Sequence, residues 1–293
     1  MGQQRKVRLA LMRIARKSER PTDETLQYYA MERMLARLAQ SPYADQFVLK
    51  GGLLVHAWAF DGFRATRDID LLGTNPFSQE KVGQIFRDLA DIDLVDGIVF
   101  RSETLTTRVI QPDSNPQGVE VRLQANIDRS LIHLRVDIGF CDRVYPRPVP
   151  FDFPALLEDT GPRVQAYTHL SILAEKSHAI IDLAPITTRM KDYYDVVHLL
   201  HHISVKLNLL RKAVQDVFTR RGTRLEFDAT DFLRISDTNE KSHAWSRFCG
   251  RIQIESEPFG HIARQIAAFL KPVFDRDMIN SRWDPMKLMW IEE

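Results

Sequence analysis

Hydrophobic and polar positions follow two rhythms along this chain, and the change falls near its middle. In FVLK (47–50) and DIDLLG (68–73) the apolar residues come in short runs, the signature of strands buried in a sheet. HLRVDIGF (133–140) alternates strictly, with Leu134, Val136 and Ile138 on one side and His133, Arg135 and Asp137 on the other. VEVRLQANI (119–127) alternates less regularly, and the whole stretch 98–140 reads as β-strands. Helical spacing appears at Met31, Met34, Leu35 and Leu38, behind Pro21 and Thr22, with Asp23 and Glu24 in the first turn. SQEKVGQIFRDLADI (78–92) and the short LLVHAWAF (53–60) are also predicted helical. YPRPVPFDFP (145–154) carries four prolines, is expected to be irregular, and marks a boundary. Beyond it, helices are predicted over 169–183, 187–203, 206–221, 239–252 and 259–272, with Pro185 separating the first two. The pattern predicts an α+β domain over 1–150 and a mostly helical domain over 151–293.

Composition changes this picture little. The chain has 293 residues with 40 Lys and Arg against 39 Asp and Glu, so overall charge points to no partner. Its two cysteines, Cys141 and Cys249, exclude a disulfide framework and fit a cytoplasmic protein. No run reaches the ~18 apolar residues of a membrane span, so no membrane partner is expected. The N-terminal 20 residues carry seven basic side chains and one acid, and form an amphipathic helix whose polar face is either solvated or in contact with nucleic-acid phosphates. The apolar core of that segment is too short for a signal peptide.

The chemistry is concentrated at residues 47–73. In a strand, Asp68 and Asp70 point to the same face while Ile69 and Leu71 point to the other. Two adjacent carboxylates in so apolar a strand are costly unless a cation neutralises them. A hard divalent ion suits such a pair, because Mg²⁺ takes one or two carboxylates and completes its shell with water and substrate phosphates. Asp137, on the polar side of another strand, completes a triad if that strand lies alongside. Gly51 and Gly52 lack a Cβ and precede a helix, so a phosphate can approach their backbone closely. Strand, glycine pair, helix and Asp-x-Asp strand together suit a metal–nucleoside triphosphate. The bland alternative places both aspartates on a solvated edge, paired with Arg64 and Arg67.

FVLKGG and RATRDIDLL resemble the first motif of the AbiEii/AbiGii toxin family within the nucleotidyltransferase superfamily. LSILAEKSHAIIDLAPITTRMKDYYDVVHLL resembles that family's later block, an AEK helix followed by a basic residue and a D-x-x-D helix. The likeness runs in matching order from about residue 24 to at least 220. It implies a polymerase-β-like nucleotidyltransferase core with a mostly helical C-terminal domain, and transfer of a nucleotide from an NTP with Mg²⁺ or Mn²⁺ and release of pyrophosphate. It further implies an RNA acceptor, the 3′ end of tRNA in several relatives, and a cognate antitoxin protein. Carried onto this chain, Gly51 and Gly52 match the glycine turn, Asp68 and Asp70 the metal pair, Lys176 the family lysine and Asp192 its late acid; the superfamily's third strand carboxylate maps to Asp137. Many superfamily members have serine where this chain has Gly52.

The roles these matches imply follow from charge. Asp68 and Asp70 hold metal, and Lys176 meets the β or γ phosphate. Asp192 orients or deprotonates the acceptor hydroxyl, or holds Lys176. Arg67, with Arg64, contacts triphosphate or RNA, or only balances local acid. Asp195 reads as a member of an exposed i,i+3 ladder with Asp192 and Arg189. His198, His201 and His202 lack a completing ligand and are not expected to bind metal, His56 is expected to pack, and Met286, Met289 and Trp290 to form a docking tail. Two other readings keep the fold: transfer to a protein or small molecule, and a non-catalytic protein that binds NTP or a partner. FTRRGTR (218–224) and the basic N-terminus favour RNA over the other acceptors.

Overall fold

A computed structural model describes residues 2–58, 64–110, 118–140, 144–183, 189–255, 257–275 and 280–292. Cys141 and Pro185 lie outside the described residues. The chain divides into two compact units. The first comprises Met1–Asp61, Ala65–Arg143 and Pro148–Tyr167; the second comprises Gly62–Arg64, Val144–Arg147 and Thr168–Glu293.

The first unit is built on one seven-stranded sheet, in the order β3-β4-β5-β2-β1-β7-β6. Its strands are β1 (Phe47–Lys50), β2 (Asp68–Gly73), β3 (Val99–Ile110), β4 (Gly118–Ile127), β5 (Ser130–Phe140), β6 (Val149–Asp152) and β7 (Arg163–Ala166). β3, β4 and β5 form an antiparallel meander, β5 runs parallel to β2, and β2 is antiparallel to β1. The alternation read from the sequence decides which face is which. Ile69 and Leu71 on β2 stand beside Val136 and Ile138 on β5 and Val121 and Val119 on β4, all buried. Helices α1 (Gln3–Lys17), α2 (Thr22–Ala39) and α4 (Gln79–Ala90) pack against these strands. α2 is sealed in place by Arg33 and Arg37, which both donate to the buried Asp96 at 2.8 and 2.7 Å. The other side of β2, β4 and β5 carries the ionisable residues.

One expectation fails here. The proline-rich 145–154 is not wholly irregular, because β6 occupies Val149–Asp152 and pairs with β7. β6 is the edge strand of the sheet, and an edge is where proline's missing N–H costs no ladder hydrogen bond.

The second unit is helical, with α5 (His169–Leu183), α6 (Met190–Leu200), α7 (Leu207–Arg220), α8 (Ala229–Ser236), α9 (Asn239–Ile252) and α10 (Phe259–Phe274). α5 packs on α6 and α7, and α10 packs on α6, α7 and α8. The C-terminal segment is a hairpin, β8 (Ser281–Asp284) with β9 (Met289–Glu292), rather than a simple tail. Trp290 docks as expected, stacking on Phe269 and donating to its carbonyl at 3.0 Å, whereas Met286 and Met289 are exposed. No helix among the described residues is long and apolar enough to cross a membrane.

Candidate active site

In the first unit the site begins where β1 ends. Gly51 has φ +69°, in the left-handed region that side chains disfavour, and from it the chain turns into α3 (Gly51–Ala57). A Cβ at this position would lie 2.0 Å from the Oδ2 of Asp70. The carboxylate of Asp70 is therefore seated directly on the Gly51 backbone, and glycine is needed both for the turn and for the seat. Gly52 is buried, so a ligand reaching this turn meets Gly51 first. His56 packs against the ring of Tyr28 at 4.9 Å, as expected.

Asp68 and Asp70 share one face of β2, both partly exposed, between the buried Ile69 and Leu71. The strand register then extends the polar face across the sheet. One row runs Lys50, Asp70, Asp137, Glu120 and Arg108 on β1, β2, β5, β4 and β3. The next row runs Asp68, Arg135, Arg122 and Thr106. Asp137 thus stands directly beside Asp70. Arg135 sits among the acids: its Nε lies 3.0 Å from Asp137 Oδ1 and 2.9 Å from Glu120 Oε2, and its Nη1 lies 3.9 Å from Asp68 Oδ2. The hydrogen bonds that Arg135 donates to Asp137 raise its pKa further. Burial would raise the Glu120 carboxyl, but Arg122, Arg135 and Arg108 outweigh it and hold the group below its ordinary range.

Among the described residues no three His, Cys, Asp or Glu side chains gather into a set that could hold a metal alone. Arg135 already takes Asp137. Asp68 and Asp70 together offer hard oxygen donors on one strand face, a set that would suit Mg²⁺ shared with substrate phosphates rather than caged by protein. Arg67 continues directly into β2, and its carbonyl accepts from Gln27 Nε2 at 3.0 Å, which fixes the entry to the Asp-x-Asp strand.

The second unit holds Lys176 and Asp192, the residues that the resemblance matched to the later motif block. Lys176 on α5 donates to Asp192 Oδ1 at 3.0 Å and lies 2.6 Å from Asp195 Oδ2, both on α6. Arg64 clamps the same Asp195 with a two-pronged contact, Nε to Oδ1 and Nη2 to Oδ2, each 2.9 Å. Asp195 is fully buried, so it is no member of an exposed ladder: it is the centre of a buried charge cluster. The reason is its place on α6, beside Val196 and Leu199 on the buried side of the helix. Burial would neutralise Lys176, yet Asp195 and Asp192 overcome that and raise its pKa; burial likewise opposes the Asp195 charge, and Lys176 and Arg64 lower its pKa. Glu175 does not pair with Lys176; it meets Arg220 and Arg221 at 3.7 and 3.3 Å. His202 is tied by Nδ1 to the His198 carbonyl at 2.7 Å, in a stack of rings that includes Tyr194.

Three functional-looking residues escaped the sequence reading: Glu120, Arg135 and Asp195. The polar members of VEVRLQ at 120, 122 and 124 carried a signal for the first. Arg64, one of the two partners of Asp195, is 131 residues away in sequence, which no local pattern reveals.

Replacing Gly51 by alanine is expected to push Asp70 off its seat, lowering turnover at least tenfold, with a stability cost of about 1–2 kcal/mol from the left-handed backbone. Steady-state rates beside a thermal melt measure both, and an alanine variant as active as the parent would show that the seat is dispensable.

The family description "Nucleotidyl transferase AbiEii toxin, Type IV TA system" matches residues 33–288. No curated protein matches the chain in sequence. Two solved structures from Helicobacter pylori are similar to it at 13% identity. One is JHP933, with a TM-score of 0.48 over 83% of this chain and 88% of that one. The other is named as a candidate nucleotidyltransferase, with a TM-score of 0.49 over 83% and 91%.

Proposed function

This chain belongs to the AbiEii family of nucleotidyltransferase toxins of type IV toxin–antitoxin systems, and from that premise we propose that it transfers a nucleotide from an NTP to RNA, the 3′ end of tRNA foremost, with Mg²⁺ and release of pyrophosphate. The observation that carries the metal-dependent reading is the seating of Asp70 on Gly51 with Asp68 on the same strand face. Bound at this pair, a divalent ion would supply positive charge to the phosphate oxygens and to the attacking hydroxyl. Asp68 and Asp70 orient that charge, and Gly51 leaves room at the backbone for a phosphate. Asp137 is assigned to the same acidic group as a neighbour of Asp70 rather than a lone ligand, since Arg135 shares it.

Lys176 is assigned the phosphate-facing charge that the family motif gives it, with Asp195 keeping it ionised and Asp192 holding its ammonium in place. Arg64, locked onto Asp195, is a positioning residue. Arg67 is retained as a nucleotide contact at the entrance to β2. A toxin of this class implies an antitoxin protein as partner, acting in the cytoplasm.

The test is direct. Incubating the protein with total RNA, Mg²⁺ and each labelled NTP in turn should place label on RNA, in the tRNA band, with one NTP preferred. Label appearing only on protein or on a small molecule would overturn the RNA assignment. No label with any of the four NTPs would overturn the transfer reading.

A further inference from the structure

The polar side of the sheet continues past the acid pair into a group of arginines. Arg108 on β3, Arg122 on β4 and Arg135 on β5 converge on the single carboxylate of Glu120, at 3.2, 2.8 and 2.9 Å. Glu120 is 2% exposed, while the three arginine side chains are 66, 58 and 40% exposed. Arg122 and Arg135 stand directly opposite each other on paired strands, an arrangement of like charges that destabilises a sheet unless an anion lies between or above them. Glu120 supplies one negative charge for three positive ones. Arg135 is further shared with Asp137, so Arg108 and Arg122 carry the charge that the local acids leave over.

We propose that Arg108 and Arg122, pre-ordered by Glu120, form a clamp for a backbone phosphate of the acceptor RNA. A guanidinium offers planar, two-pronged donors that match a phosphate, and here a buried acid has already fixed two of them in place. Glu120 is a positioning residue in this arrangement. Strands spaced by about 4.8 Å put β4 and β3 roughly 10 and 14 Å from β2, where Asp70 lies. That offset suits the polymer a short way back from its reactive end, rather than the triphosphate held at the acid pair. Arg135, touching both Glu120 and Asp137, links the clamp to the acids.

The proposal rests on the RNA-acceptor reading, and its test needs no turnover. Binding of tRNA and of a short single-stranded RNA to the full-length protein, without NTP, is measured across a salt series for the parent and for Arg108→Ala/Arg122→Ala. The double variant is expected to bind at least about tenfold more weakly. Losing the contact with that one single-strand phosphate should reduce the slope of log affinity against log salt by about 0.7. Arg108→Lys/Arg122→Lys should recover part of the affinity, since the charge returns without the planar fork. A matched charge loss on exposed helical positions given no part in RNA contact, Arg247→Ala/Arg264→Ala, should leave the slope closer to that of the parent. Unchanged RNA affinity in the clamp variant, an equal loss in the Arg247→Ala/Arg264→Ala variant, or weakened Mg–NTP binding in place of RNA binding would each overturn the clamp. Labelling separates the two ideas: RNA that takes label but binds the clamp variant as it binds the parent removes the clamp alone. RNA that binds through the arginines yet never takes label removes the acceptor reading alone.

Discussion

Asp70→Ala is expected to reduce nucleotidyl transfer by about a thousandfold while leaving the thermal midpoint within a few degrees of the parent. The size follows from charge. A metal ion at a phosphoryl centre is worth several kcal/mol of transition-state stabilisation, and about 4 kcal/mol corresponds to a factor of about a thousand. The fold should survive because Asp70 is partly exposed and its removal relieves a crowded acidic row with Asp137 and Glu120. Asp70→Asn separates charge from shape, keeping the contact over Gly51 while losing the anion, and should be nearly as inactive. Initial rates with the preferred NTP decide the matter, and parent-like turnover in a folded Asp70→Ala protein would remove Asp70 from the metal assignment.

Asp195→Ala carries the largest expected stability change. Arg64 and Lys176 would be left buried against each other without their shared anion, and removing one partner of a buried ion pair costs about 3–5 kcal/mol. Trp245, Trp283 and Trp290 all lie in the second unit, so tryptophan fluorescence in urea reports that loss. Adding Lys176→Met to Asp195→Asn removes one stranded cation and should recover part of the stability that Asp195→Asn loses. The pH dependence follows from the two shifts. The Asp195 pKa is lowered on folding, so its contribution is full above the ordinary carboxylate value of 3.8 and fades as pH falls through the folded value. The Lys176 pKa is raised, so its contribution is full below 10.5 and is lost only above that, as pH climbs through the folded value. Between those limits the cluster's contribution is flat. Below pH 4 the parent should lose stability faster than Asp195→Asn does. Equal urea midpoints for parent and Asp195→Ala at pH 7 would show that the cluster contributes nothing.

The sheet side of the first unit could be read from the chain because its strands are buried on one face and polar on the other, so residue spacing alone sorts Asp68 and Asp70 from Ile69 and Leu71. The longer helices of the second unit were legible for the same reason, through apolar spacing, whereas α8, only eight residues long, was not predicted. β6 and β7 were not: each is four residues long, and prolines masked the first, whose edge position tolerates them. Side-chain partners across the fold were the least legible part. Asp70 beside Asp137 follows from a parallel pairing of β2 with β5 that lies on the far side of two intervening strands in sequence. Asp195 reads as one more exposed charge until Arg64 is brought to it. Lys176 was identifiable only through its family motif, since an isolated AEK on a helix has many innocent explanations.

The division of the chain has a practical corollary. The second unit draws Gly62–Arg64 and Val144–Arg147 from stretches that interrupt the first, and Arg64 is the residue that grips Asp195. No single scission frees an intact helical half: a fragment starting at Thr168 would forfeit the Arg64 guanidinium and leave Asp195 to Lys176. A helical half cut from the chain at Thr168 should therefore be less stable than the same residues in the intact protein.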